Sequence, residues 1–419
     1  MQVPPFSLSQ QIDDLRADLE KAVLSVLQSG QYIGGAQIQH FETSFAAATG
    51  VEFAVGCNSG TDALILALRA LGIGAGDEVI TCSFSFFATA EAISAVGATP
   101  VFVDVDPTTY LIDFDQIEAV ITPRSKALIP VHLFGRPVDM TRCMAIATTH
   151  KLKVVEDCAQ ATGATWAGQP VGSFGDVGCF SFFPTKNLGA AGDGGAVTTN
   201  DVGLAQTMRE LAVHGMPQRY LHTALGYNSR LDAIQAAVLN VKLPKLAGWI
   251  KNRSSIANRY LERLAALPGI VLPKGDNGHS WNQFVVRVGP CANASRLCAG
   301  SCPTSATSAT HGLPESRCRD WLKQALQDAG VSTIIYYPIP IHRQPAYAHL
   351  GLGEGTFPVT ERLCSEVLSL PIFPELTATQ QDQVVTTLEK LLHQSSSSGS
   401  EGQDRMVAER LLNSACWVL

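Results

Sequence analysis

The chain has 419 residues, 46% of them hydrophobic and 16% charged, with a formal net charge of −7. That length exceeds what one hydrophobic core usually spans, so two domains are expected, and the acidic balance gives no reason to propose nucleic acid or an anionic membrane as a partner. No apolar run reaches the length of a membrane span, and the opening Met1-Gln2-Val3-Pro4-Pro5 has no basic region ahead of an apolar core, so a cytoplasmic protein is expected. Apolar residues at Ile12, Leu15, Leu19, Val23 and Leu27 keep helical spacing and predict a helix over 12–28. Short β-rich runs then follow at 53–57, 78–81, 99–103, 126–131, 153–156, 178–182 and 195–199. Helical stretches at 61–71, 88–95, 114–120 and 140–150 fall between many of them. Such alternation predicts an α/β fold with a largely parallel sheet covered by helices.

A helix over 233–243 closes this first part, and from about residue 246 the pattern changes. Helices at 251–267, 317–329 and 378–393, with strands at 283–288 and 331–336, predict a smaller α+β domain. The expected division is therefore a large domain over 1–245, a small domain over 246–394, and a linker and tail over 395–419. Residues 289–316 are rich in Ser, Thr, Ala and Cys and read as an insertion or loop. Cys291, Cys298, Cys302 and Cys318, with His311 among them, lack paired C-x-x-C spacing, so no metal site is assigned. The eleven cysteines, mostly isolated in apolar segments, read as reduced thiols. Residues 395–402 form a Ser/Gly linker, and 405–419 has the pattern of a small amphipathic helix.

Four segments carry candidate chemistry. Ser181-Phe182-Phe183-Pro184-Thr185-Lys186-Asn187-Leu188-Gly189 follows a strand-like run and precedes Gly192-Asp193-Gly194-Gly195. It sets Lys186 among Phe, Pro and Gly, where a desolvated amine loses its proton more readily and becomes a nucleophile able to form a Schiff base. A loop lysine on the surface is the alternative. Asp157 stands at the carboxyl end of the run 153–156, the end of a strand at which open α/β sheets bind ligands. An aspartate there can hold a pyridinium nitrogen protonated, the partnership with a Schiff-base lysine that marks a pyridoxal phosphate site; taken alone, it reads more simply as a helix N-cap. Cys57-Asn58-Ser59-Gly60-Thr61-Asp62-Ala63-Leu64 reads as strand, glycine turn and helix, leaving free N–H groups at a helix start where an anion fits. An ordinary capped turn is the alternative. Leu225-Gly226-Tyr227-Asn228-Ser229-Arg230-Leu231-Asp232 leads into a helix, and nothing in its local physics makes it a site.

In this order and spacing the four segments resemble the DegT/StrS family of sugar aminotransferases, pyridoxal phosphate enzymes of the aspartate-aminotransferase fold. The resemblance runs from about Phe6 to about His393, interrupted near 289–317. It includes Gly30-Gln31-Tyr32-Ile33-Gly34-Gly35 with Phe41-Glu42, and Tyr336-Tyr337-Pro338-Ile339-Pro340-Ile341-His342 with Leu370-Pro371-Ile372. It implies a seven-stranded sheet in the large domain. It also implies that Lys186 holds the cofactor and shuttles a proton between the substrate α-carbon and the cofactor's C4′. Asp157 would face the pyridine nitrogen, and Gln160, one helix turn on, the ring hydroxyl. Ser181 and the backbone of Gly60 and Thr61 would take the phosphate, with roughly 0.3–1 kcal/mol from the helix dipole. Phe86 would stack on the ring; only the family register separates it from Phe84 and Phe87. Asn228 would reach the phosphate of a neighbouring subunit, making a homodimer with shared active sites.

For substrate contact the resemblance points to Tyr337 and His342. Arg230 is placed either against an acidic substrate group or in a structural ion pair. Many relatives carry His at the position of Tyr336. The implied reaction moves an amino group from L-glutamate to a keto group of a nucleotide-linked sugar, at C3 of a dTDP-linked 6-deoxyhexose or a UDP-linked uronic acid, with C4 as the alternative. Two rivals share the scaffold. Sugar dehydratases of this type replace the lysine by histidine, which Lys186 argues against. A non-catalytic regulator is argued against by the intact set of Lys186, Asp157, Gln160 and Ser181.

Overall fold

The computed structural model describes residues 2–275, 278–289 and 317–393. The expectations for the remainder of the segment 289–316 and for 395–419 lie outside the described residues. The chain opens with helices α1 (Ser9–Ser29) and α2 (Ala36–Thr49), then alternates β1 (Phe53–Cys57), α3 (Gly60–Ala70), β2 (Glu78–Cys82), α4 (Ala88–Ala95) and β3 (Thr99–Val103). Next come α5 (Ile117–Val120), β4 (Ser125–Ile129), α6 (Met140–His150), β5 (Lys153–Asp157) and a small hairpin of β6 (Thr165–Trp166) and β7 (Gln169–Pro170). β8 (Val177–Ser181), β9 (Gly195–Thr199), α7 (Val202–Leu211) and α8 (Ala233–Lys242) follow. Helix α2 escaped the sequence reading because Glu42 and Thr49 sit among its buried residues and break the apolar pattern. Glu42 is buried because it accepts from the Gly56 N–H at 2.8 Å and pairs with Arg209 at 2.8 Å.

The large sheet has seven strands in the order β1-β9-β8-β5-β4-β2-β3. Only β9 runs against its neighbours, β1 and β8; the pairs from β8 through β5, β4 and β2 to β3 are parallel. Every residue of β2, β8 and β9 is buried, as expected for strands covered on both faces. Because β1 and β8 both oppose β9, the carboxyl ends of β1, β5 and β8 open on one edge of the sheet. That edge carries the start of α3, Asp157 and the Lys186 loop. Behind it, Phe45 meets Phe180 and Phe182 edge-on at centroid separations of 5.0 and 5.2 Å, clamping α2 onto β8. Each such pair contributes about 0.5–1.5 kcal/mol beyond its buried area.

The rest of the chain comprises α9 (Leu246–Leu264), β10 (Ile270–Val271), β11 (Phe284–Val288), α10 (Arg317–Asp328), α11 (Pro358–Glu366), β12 (Val367–Leu370) and α12 (Ala378–His393). Strands β10, β11 and β12 form a three-stranded antiparallel sheet, the smaller α+β part. Its core of Tyr260, Trp281, Phe284, Leu322, Leu368 and Leu388 is separate from the clusters around the large sheet. The strand expected over 331–336 does not form. Val331 and Ile334 make isolated bridges to Val3 and Ser369, and the chain then turns Tyr336 and Tyr337 into a cavity. The two parts are stitched by buried polar contacts. The Ser280 N–H donates to the Gly135 carbonyl at 2.8 Å, and Asp104 accepts from the N–H groups of Val359 and Thr360 at 2.8 Å each.

Adjacent residues of β5 point to opposite faces, and both are used. Glu156 accepts from the N–H groups of Gly172, Phe174 and Gly175 at 2.8 Å each and faces His132 Nε2 at 3.1 Å. Burial pushes its carboxyl up, but the bond from His132 and the backbone donors outweigh it and hold the group below the usual carboxylate range. His132, Glu156 and Cys158 lie close enough to hold a metal ion. Their atoms are already committed: His132 Nδ1 accepts from the Val138 N–H at 2.9 Å, so its other nitrogen carries the proton toward Glu156. We therefore assign the cluster to bracing β5 behind Asp157.

Candidate active site

Asp157 ends β5 with its carboxylate on the face opposite Glu156 and is 5% exposed. One oxygen accepts from the Thr89 hydroxyl at 2.8 Å and the other from the Ala159 N–H at 3.1 Å. Burial pushes its carboxyl up; the bonds from Thr89 and Ala159 and the charge of Lys186 oppose that shift. It caps no helix, since turns rather than a helix follow β5. For the same reason Gln160 does not reach the cavity from a helix turn, as the sequence suggested. It is held there by two side-chain bonds: its Oε1 accepts from the Phe134 N–H at 2.9 Å, and its Nε2 donates to the Tyr337 hydroxyl at 2.8 Å.

Lys186 leaves β8 in a tight turn closed by its own N–H to the Phe183 carbonyl at 2.9 Å. Gly189 is required there, because a Cβ would stand 2.3 Å from the Pro184 oxygen. The next side chain, Asn187, is buried and donates to the carbonyls of Thr162 and Ser280 at 3.2 and 3.1 Å. The buried Lys242 donates to the Gly189 carbonyl at 2.8 Å. The loop is thus fixed on both sides of Lys186. Burial lowers the Lys186 amine to about 8, with Asp157 pulling the other way, so a neutral nucleophile is within reach at physiological pH.

Across the cavity, Ser59 caps α3 by accepting from the Asp62 N–H at 3.1 Å. The first N–H groups of a helix have no acceptor inside it; here they belong to Gly60 and Thr61, which line the cavity with Ser181. A Cβ on Gly60 would stand 2.7 Å from that of Ser181, so glycine lets the helix start abut the strand end. The cavity these elements enclose is about 370 Å³ and brings together Gly60, Thr61, Phe86, Asp157, Gln160, Ser181, Lys186 and Tyr337. Phe86 is 55% exposed and tilts against the Tyr337 ring at 5.9 Å, whereas Phe84 is buried and Phe87 packs on Tyr347. Exposure therefore separates Phe86 from its neighbours on structural grounds. Burial raises the Tyr337 phenol above its ordinary value, so it stays protonated.

Three expected residues lie elsewhere. Asn228 and Arg230 do not line the cavity of their own chain and bond to each other at 2.7 Å. His342, expected to touch substrate, is buried and does not line the cavity. It is 1% exposed, Nδ1 faces the Ser83 hydroxyl at 2.6 Å and Nε2 faces Glu361 at 3.1 Å. Burial pushes the imidazole down against the pull of Glu361, so a neutral ring donates to Glu361 and accepts from Ser83. His342→Ala is expected to remove two buried side-chain bonds and cost about 1–3 kcal/mol, with Glu361 keeping the Gly355 N–H and Ser83 the backbone N–H of residue 342. Urea unfolding should show the lower midpoint, with kcat of the folded fraction unchanged.

A sequence profile of the DegT/DnrJ/EryC1/StrS aminotransferase family matches residues 13–299 and 302–389. The chain belongs to this family. It is 46% identical to a UDP-N-acetyl-3-dehydro-α-D-glucosamine 3-aminotransferase of Acidithiobacillus ferrooxidans, covering 93% of this chain and 98% of the relative. It is 43% identical to a dTDP-3-amino-3,4,6-trideoxy-α-D-glucose transaminase of Streptomyces venezuelae, covering 91% and 94%. The crystal structure of S. venezuelae DesV in complex with a ketimine intermediate superposes with a TM-score of 0.84 at 42% identity, covering 95% of this chain and 99% of that one.

The protein is a pyridoxal phosphate-dependent sugar aminotransferase. The cavity of this aminotransferase fits the cofactor: a lysine with a loosened proton, a buried carboxylate, helix-start N–H groups for a phosphate and an exposed aromatic face converge in it. Thr89, Ser85, Gln283, Tyr336, Thr185 and Asp193 also line it and were not predicted as site residues. Asp193 stood in the glycine motif and Tyr336 beside Tyr337, so sequence position alone could have flagged those two. Thr89 bears no local signal, because it meets Asp157 across 68 residues of chain, and Ser85 reaches that carboxylate only through Thr89. Among the described residues, no helix is long and apolar enough to cross a membrane.

Proposed function

We propose that this aminotransferase carries an amino group from L-glutamate to C3 of a nucleotide-linked keto sugar and works as a homodimer. The observation that carries the proposal is the meeting of Lys186 and Asp157 in one cavity at the carboxyl ends of β8 and β5. When bound, the cofactor supplies the electron sink and the carrier for the amino group. Lys186 Nζ, its proton loosened by burial, would anchor the cofactor and, once freed, would carry the proton from the α-carbon of the donor to the cofactor's C4′. The Asp157 carboxylate balances a positive ring nitrogen, and Gln160, fixed by Phe134 and Tyr337, presents an amide to the ring hydroxyl. Ser181 and the N–H groups of Gly60 and Thr61 hold the phosphate, and Phe86 covers the ring face. Tyr337 lies where the sugar would enter.

C3 is favoured over C4 because the two relatives described above are named for 3-amino products. Shared active sites are supported by Asn228 and Arg230 lying outside their own cavity. They follow an exposed apolar stretch in which Tyr220 and Leu225 await cover. The same reading divides the chain near residue 245, at the short turn Leu243–Lys245 between α8 and α9.

The test supplies L-glutamate with dTDP- and UDP-linked sugars carrying a keto group at C3 or at C4, and locates the new nitrogen by NMR. Amination of a C3-keto sugar is expected; turnover confined to C4-keto sugars would refute the C3 assignment.

A further inference from the structure

Asp157 is bound by a second side chain that none of the site motifs contains. Thr89, in the first turn of α4, is 1% exposed, and its hydroxyl lies 2.8 Å from Asp157 Oδ2. On its other side it lies 2.8 Å from the hydroxyl of Ser85, which is also buried. Both hydroxyls line the cofactor cavity. A carboxylate only accepts, and a threonine hydroxyl has one proton to give. The Thr89 proton therefore goes to Asp157, and Ser85 must be the donor to Thr89. The chain of bonds has one direction, Ser85 to Thr89 to Asp157. With the Ala159 N–H on Oδ1 at 3.1 Å, it fixes both oxygens and hence the plane of the carboxylate. Each oxygen keeps a lone pair for a further donor. Bonds in series polarise one another, so the Thr89 donation is stronger for having Ser85 behind it.

We infer that Thr89 is a positioning residue that, with Ser85 behind it, aims the Asp157 carboxylate at the cofactor ring nitrogen. This rests on Asp157 being the partner of that nitrogen. Without the Thr89 hydroxyl, one oxygen of this buried carboxylate loses a neutral-to-charged hydrogen bond, and the Ala159 N–H alone holds its plane less firmly. The cofactor must then order it on binding.

The experiment measures the dissociation constant of pyridoxal phosphate by equilibrium dialysis. It also measures the ring-nitrogen resonance of ¹⁵N-labelled cofactor, for Thr89→Val, Thr89→Ser, Ser85→Ala and Asp157→Asn. Thr89→Val, which keeps shape and removes the hydroxyl, is expected to weaken binding about 10- to 100-fold, the worth of a hydrogen bond to a charged group, and to shift the nitrogen toward its unprotonated signal. Thr89→Ser is expected to restore both, and Ser85→Ala to weaken binding about 2- to 10-fold. Parental affinity and signal in Thr89→Val would overturn the inference. Equal losses in Thr89→Val and Thr89→Ser would also overturn it, by assigning the effect to packing. If Asp157→Asn itself binds and resonates as the parent does, the role of Asp157 fails first; an impaired Asp157→Asn beside a parental Thr89→Val defeats the Thr89 inference alone.

Discussion

Lys186→Ala is expected to lower turnover of the keto sugar by at least about 10⁴-fold, because it removes both the covalent anchor and the proton carrier at the α-carbon. The fold should survive. The loop around Lys186 is held by its own N–H to Phe183, by Asn187 to Thr162 and Ser280, and by Lys242 to Gly189, none of which uses the Lys186 side chain. Removing a desolvated amine also relieves the burial that lowers it to about 8. Lys186→Arg should be as inactive as the alanine variant, since a guanidinium does not lose its proton in proteins. Steady-state turnover with matched circular dichroism checks the result. Turnover near the parental rate with either substitution would remove Lys186 from the chemistry.

Asp157→Asn is the second large effect, and it divides stability from activity. An asparagine cannot balance a positive ring nitrogen, so turnover is expected to fall by about 10²- to 10³-fold, the scale for losing one preorganised electrostatic group. Stability of the cofactor-free protein should move the other way. Burial raises the Asp157 carboxyl above its usual value. For an acid raised in the folded state, the folded form binds more protons than the unfolded one between the two pKa values, so stability falls as pH climbs through that window. Above it, at neutral pH, Asp157 costs the cofactor-free fold stability, and the amide removes that cost. Melting of the cofactor-free variant is therefore expected at or above the parental temperature at pH 7, with the difference closing toward acid. A lower melting temperature at neutral pH would show that the bonds from Thr89 and Ala159 outweigh the burial.

The layered fold was legible because buried parallel strands are short apolar runs separated by helices, and most of those runs are strands within a residue or two. Lys186 and Asp157 stood out only in combination: taken singly, a surface loop and a helix cap explained them as well or better, and the order and spacing of the four segments supplied the rest. What escaped was set by contacts across the chain. Helix α2 hid behind Glu42, whose burial makes sense only once Arg209 and Gly56 lie beside it. Thr89 is one more small residue on a short helix until Asp157 is placed against it. His342 sits in a motif that the resemblance tied to substrate, yet both its nitrogens are consumed by Ser83 and Glu361, partners 259 and 19 residues away. Sequence spacing carries no record of such saturation. The strand expected at 331–336 failed because its last residues turn into the cavity rather than continue a ladder.

Two lysines, the half-buried Lys186 and the buried Lys242, are both lowered to about 8 by desolvation, and only the first lines the cavity. Borohydride reduction of the protein loaded with pyridoxal phosphate, followed by peptide mapping in a mass spectrometer, separates them. The structure predicts a single pyridoxyl group on the peptide carrying Lys186, with Lys242 unmodified at its bond to the Gly189 carbonyl. A label on Lys242, or none on Lys186, would contradict the assignment of this cavity as the catalytic site.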